Sequence, residues 1–167
     1  MTRLNISKRA AIVTAAALVT AGSVTAGVSF AGSDADAPPS KSQIAGLFTT
    51  WNDALKTGDA EKVADLYASD AVLLPTVSDK IRTNHAEIVD YFEHFLENKP
   101  VGKKLDTIVN VLDDNSAIDT GIYEFTLTDP STGAKSTVKA RYTYEYEKRD
   151  GKWLIVNHHS SKMPESS

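Results

Sequence analysis

His158 and His159 stand side by side in a run that alternates as a β-strand does, so their imidazoles point to opposite faces and cannot share one metal ion. His85 and His94 lie nine residues apart in a helical stretch. At about 100° per residue they fall on opposite sides of it. With no cysteine in the chain and no histidine pair at a ligand spacing, no metal site is expected. An inward-facing His158 is a candidate general base, because imidazole titrates near neutrality. The competing reading is a histidine packed at the end of the sheet and bonded to a hydroxyl or the backbone. His159 and Ser161, on the other face, would meet a second subunit or water.

Trp51, Tyr67, Tyr91, Tyr123, Tyr142 and Tyr144 form a second set, all at positions that face a core. They are either packed interior or the lining of an apolar cavity whose hydroxyls and indole N–H are aimed at a ligand. Two arginines are candidates for the same pocket. Arg141 precedes Tyr142 on a strand and faces outward unless a bulge turns it in. Arg82 follows a short apolar run and either leans over the pocket mouth or is a solvated loop charge. The chain holds no Gly-x-Ser-x-Gly elbow, no P-loop and no Gly-x-Gly-x-x-Gly, so no nucleotide cofactor, and no cofactor of any kind, is expected.

The elements that must position these side chains follow from periodicity. Ile44, Leu47, Phe48, Trp51 and Leu55 make the apolar stripe of a helix that Gly58 ends. Asp59 caps a short second helix with Val63, Leu66 and Tyr67 on its buried edge. Residues 71–75 read as a short strand, and Ile81-Arg82 as a possible edge strand. Asn84 and Glu87 have capping-box spacing before a third helix with the stripe Ile88, Tyr91, Phe92, Phe95 and Leu96.

From there the period becomes two, giving strands over 105–112, 116–128, 135–148 and 152–161. Gly121 suggests a bulge that lets Ile118 and Tyr123 share a face. Arg149-Asp150-Gly151 is a hairpin turn. A three-residue loop puts Tyr142, Tyr144 and Tyr146 on one face with Leu154, Val156, His158 and Ser160. A two-residue loop puts Arg141, Thr143, Glu145 and Glu147 there instead. The tyrosines match Leu154 and Val156 better, which favours the longer loop. Helices followed by a meander indicate an α+β domain whose sheet wraps its helices.

These stretches carry a resemblance. Arg141-Tyr-Thr-Tyr144, Arg149-Asp-Gly-Lys-Trp153 and His158-His-Ser-Ser161 before Pro164 resemble the end of the association domain of calcium/calmodulin-dependent protein kinase type two. They resemble still more closely stand-alone bacterial relatives of the SgcJ/EcaC kind, within the nuclear transport factor two-like (SnoaL-like) superfamily. Trp51-Asn-Asp-Ala-Leu55 with Gly58-Asp59, and Tyr67-Ala-Ser-Asp-Ala-Val-Leu-Leu-Pro75, extend the match. The resemblance implies a cone in which about three N-terminal helices pack in a curved mixed or antiparallel sheet. Its superfamily holds enzymes, binders and pure assembly modules. In the kinase domain, arginines lining a pocket between the sheet and the first helix accept carboxylates. Arg141 lies three residues from the matching position, and Ser160 stands where an arginine follows the final histidine.

Ahead of this domain, Arg3, Lys8 and Arg9 precede an Ala/Val-rich run, and Ser29-Phe30-Ala31 offers a signal-peptidase site. The expected organisation is a signal peptide over 1–31, a flexible linker over 32–40, the domain over 41–164 and a tail over 165–167. An uncleaved membrane anchor is the alternative, since residues 10–30 are about long enough to cross a bilayer. Removing the three basic residues leaves 15 Lys and Arg against 22 Asp and Glu, a net charge of −7. Nucleic acid and anionic membranes are poor partners for that charge.

The expected protein is secreted and homodimeric through its outer sheet face. It binds a small organic molecule through Trp51, Tyr67, Arg82, Tyr91, Tyr123, Arg141, Tyr142 and Ser160. The alternatives are a SnoaL-like enzyme with His158 as base and a non-catalytic oligomerisation module.

Overall fold

The computed structural model describes residues 37–165. The expected signal peptide and the linker up to residue 36 lie outside the described residues, as do residues 166–167.

Ser40 begins the domain. Its hydroxyl accepts the N–H of Gln43 at 3.2 Å, and its own N–H reaches the Gln43 side chain at 2.7 Å, a complete capping box for helix α1 (Lys41–Lys56). α1 buries Ile44, Phe48, Trp51 and Leu55 on one stripe. Past its end Gly58 takes φ +71°, where a side chain would be strained. Asp59 accepts the N–H of Lys62 and caps α2 (Ala60–Ala64), after which the chain runs into strand β1 (Tyr67–Leu74). Helix α3 (His85–Leu96) is capped by Asn84, which accepts from Glu87 N at 3.0 Å. Glu87 reaches back to Thr83 N instead of Asn84 N, so only half of the expected box forms. The suggested edge strand is a single bridge between Leu73 and Arg82.

Strands β2 (Val101–Val111), β3 (Ser116–Thr128), β4 (Lys135–Arg149) and β5 (Lys152–Lys162) follow. The sheet order is β1-β5-β4-β3-β2, with β1 parallel to β5 and every other pair antiparallel. The helices bury their stripes against one face of this curved five-stranded sheet. Phe48 and Trp51 meet Tyr123, Phe125 and Tyr144 at centroid distances of 5.8–6.4 Å.

Two local expectations are corrected. The hairpin loop has two residues, not three: Arg149 pairs with Lys152, and Asp150 (φ 51°) and Gly151 (φ 77°) both occupy the left-handed region of a type I′ turn. Yet Tyr142 and Tyr144 still share a face with Ser160 and His158. The register slips between Glu145–Asn157 and Tyr146–Ile155, leaving Val156 as an extra residue in β5. That bulge inverts the parity of β5 partway along. Ile155 therefore fills the core near the turn, while Leu154 and Val156 are only half-buried.

The second correction concerns Gly121. β3 runs without a bulge, and the extra residue is Leu105 on β2. The displaced β2 backbone brings the Asp106 carbonyl oxygen to 2.1 Å from where a Gly121 Cβ would stand, so only glycine fits. Ile118 consequently faces away from Tyr123, and Asp119 faces in, fully buried.

Candidate functional site

Trp51 on α1, Tyr67 at the start of β1, Tyr123 on β3, and His158 and Ser160 on β5 converge on the inner face of the sheet. Trp51 Nε1 donates to the Tyr67 hydroxyl at 3.0 Å, and that hydroxyl lies 2.9 Å from His158 Nδ1. His158 Nε2 is 3.5 Å from the Tyr123 hydroxyl, which donates to Ser160 Oγ. Ser160 in turn is hydrogen-bonded to Thr76 Oγ1, on the segment that follows β1. The imidazole is stacked on Tyr144 at 4.1 Å and meets the edge of Trp51 at 5.6 Å.

Burial pushes the His158 pKa down to about 3, helped by the neighbouring His159. Charging an imidazole here would strip it of water without supplying an anion. His158 is therefore neutral at physiological pH. The same burial holds the Tyr67 and Tyr144 hydroxyls far above the usual phenol range.

Above this network lies a cavity. Trp51, Tyr123, His158 and Ser160 form its inner end, and Thr76, Val77, Tyr91, Phe95, Leu127 and Val138 its sides and mouth. The volume open to the centre of a water molecule is about 40 Å³, and the whole empty space, open mouth included, about 490 Å³. That is room for roughly three waters, at about 10–15 Å³ each, or for the leading end of an organic molecule. The rest of such a molecule would lie against the aromatic mouth.

The structure distributes the sequence-predicted residues unevenly. Trp51, Tyr91, Tyr123, His158 and Ser160 line the cavity; Tyr67 stands just behind, bonded to two of them. Tyr142 shares the inner face but its hydroxyl is turned to Asp119 Oδ1 at 3.0 Å, away from the cavity. Arg82 sits beside the mouth in a separate depression, tied to Asp90 at 2.6 Å and with its guanidinium carbon 5.9 Å from the Tyr91 ring. Arg141 is exposed on the outer face near His159 and Ser161. No bulge on β4 turns it inward, so it does not reach the inner cavity.

Phe92 and Phe95, expected only as the buried stripe of α3, also line the cavity, while Thr76 and a buried charge pair had no counterpart among the expected site residues. Asp119, 0% exposed, pairs with Lys104 of β2, whose ammonium also donates to the Ala45 carbonyl of α1 at 3.2 Å and lies 5.0 Å from the Phe48 ring. The only signal for the pair was parity, and parity across β2 is broken by the bulge at Leu105. On the surface, donor atoms of Glu61, Asp65 and His85 come within 4.8 Å of one another. The closest contact, His85 Nε2 to Glu61 at 3.1 Å, links α2 to α3.

The helices seated in one curved mixed sheet, with a cavity between them, define a cone of the nuclear transport factor two-like fold. A Streptomyces avermitilis protein of that family, described as a dehydratase, superposes with a TM-score of 0.66 at 15% identity, covering 74% of this chain and 96% of its own. The association domain of the Caenorhabditis elegans kinase does so at 0.60 and 16%, covering 73% and 95%. At such identities the likeness is one of fold.

The family is more specific. The chain belongs to the calcium/calmodulin-dependent protein kinase II association domain family, whose profile it matches over residues 40–164. A Xanthomonas campestris protein described as such a domain is 60% identical, with a TM-score of 0.73 over 74% of this chain and 88% of that one. No curated protein sequence matches the chain. Among the described residues no helix is long and apolar enough to cross a membrane.

Proposed function

We propose that this chain binds a small, neutral, largely apolar organic molecule in the inner cavity, and that it does so as a homodimer. The observation that carries the reading is the cavity itself, an unfilled volume walled by aromatic rings and ending on a hydrogen-bonded run of hydroxyls. Interiors otherwise pack to crystal-like density. Among the described residues no charged side chain lines it, so an ionised ligand would meet no counter-charge there. Arg82 is bound to Asp90 at the rim and contributes by shaping Tyr91.

Catalysis by His158 as general base is disfavoured on two counts. Its basicity is too low to hold a proton at neutral pH, and Nδ1 is already hydrogen-bonded to the Tyr67 hydroxyl at 2.9 Å.

The homodimer is supported by the outer sheet face, where Ile108 is 57% exposed amid Ile118, Ile122 and Thr143. The kinase association domain family points to self-association as well. Export with cleavage near Ala31 remains our reading of the N-terminal sequence, and mass spectrometry of the protein recovered from culture medium tests it.

For binding, the test is a thermal-shift screen of small aromatic and alicyclic compounds. A ligand at a hundred times its Kd adds about 2.7 kcal/mol to stability, or roughly 10 °C for a domain of this size. If no compound moves the transition, the reading fails. Light scattering that finds only monomer or only larger rings removes the homodimer without touching the cavity.

A further inference from the structure

The hydrogen-bonded series at the inner end of the cavity has a direction, fixed at its deep end by the indole. Trp51 Nε1 can only donate, so the Tyr67 oxygen accepts. The Tyr67 hydrogen must then go to His158 Nδ1, the other partner within reach. Were Nδ1 the donor, the Tyr67 hydrogen would be stranded in a fully buried position, at the cost of an unmade bond. With Nδ1 accepting, a neutral imidazole carries its hydrogen on Nε2 and offers it to the Tyr123 oxygen. Tyr123 donates to Ser160 Oγ, and among the described residues the acceptor within reach of the Ser160 hydrogen is Thr76 Oγ1.

The series ends at Thr76. Its hydroxyl hydrogen is the first with no acceptor among the described residues, and Thr76 lines the cavity. We infer that the cavity selects molecules whose entering end carries a hydrogen-bond acceptor and no donor, such as a cyclic ketone, with the ligand oxygen seated on the Thr76 hydroxyl. A ligand N–H with no acceptor beside it would face a second donor in the same place. To accept it, Thr76 would have to leave its own hydrogen unbonded.

This inference rests on the cavity reading above and narrows it to a ligand class. The test uses three bicyclic probes of similar size, titrated by calorimetry into the full domain: 1-indanone offers only an acceptor, indole only a donor, and indane neither. The expected order is 1-indanone tighter than indane by roughly tenfold, with indole no tighter than indane. Thr76→Val should bring 1-indanone down to the level of indane, and Thr76→Ser, which keeps the hydroxyl, should restore the difference. Equal binding of all three probes, or a preference for indole, overturns the acceptor rule and leaves the cavity reading standing. A tenfold preference that persists in Thr76→Val also overturns it. Failure of all three probes to bind overturns both.

Discussion

Lowering the pH should destabilise this fold through His158 more than through any exposed histidine. The perturbation is a fall from pH 7.5 to 4.5, applied to the wild type and to His158→Gln. Glutamine can accept from Tyr67 and donate to Tyr123 but cannot take up a proton in this range. The imidazole titrates near 6.5 when the chain is unfolded and at about 3 in the folded core, where burial opposes the charge. Between those values the unfolded chain binds one more proton than the native one, so stability rises with pH. The contribution is complete above about pH 6.5 and is lost as the pH falls toward 3. Each pH unit in that window is worth about 1.4 kcal/mol, so the wild type should lose about 2.7 kcal/mol through this group by pH 4.5. Urea unfolding at both pH values measures it. The exposed His94, held above its ordinary value by the Asp90 carbonyl, has the opposite sign but is common to both proteins and cancels in the difference. If wild type and variant lose the same stability between the two pH values, the neutral, buried His158 is refuted.

Three further outcomes follow from the geometry. Lys104→Met leaves the fully buried Asp119 without its cation and should cost about 3–5 kcal/mol, most of it recovered in Lys104→Met/Asp119→Leu; urea midpoints of the single and double variants check this. Gly121→Ala drives a methyl into the Asp106 carbonyl and should cost at least about 2 kcal/mol while loosening the β2–β3 pair, read by hydrogen exchange of those strands. Ala140→Leu places a larger side chain at the cavity wall and should weaken indane binding at least tenfold in a calorimetric titration.

The sequence carried the helices and the strand count because their signals are local. Ser40, Asp59 and Asn84 act within three residues of themselves, and the stripe from Ile44 to Leu55 needs no partner to be read. The faces of the long strands were less legible. Two bulges, at Leu105 and Val156, reset which residues look inward, and a bulge is a property of a strand pair, set by its neighbour. Hence Ile118, Leu154 and Val156 were expected inward where Asp119 and Ile155 stand, and Tyr142 was assigned to a cavity that its hydroxyl turns away from. Arg141 was drawn inward only by the bulge it would have needed, whereas β4 itself runs regularly. Thr76 was invisible for another reason. It lies in an irregular segment, and its role comes from contact with Ser160, 84 positions away. Trp51, Tyr123 and His158 were found because aromatic and imidazole side chains at inward parity have few other places to go.

The most direct measurement is a crystal structure of the domain soaked with 1-indanone. The ring is expected between Tyr91, Phe95 and Trp51, with its oxygen within hydrogen-bonding distance of Thr76. A cavity holding only water at saturating 1-indanone, or a ring found only on the outer sheet face, would contradict it.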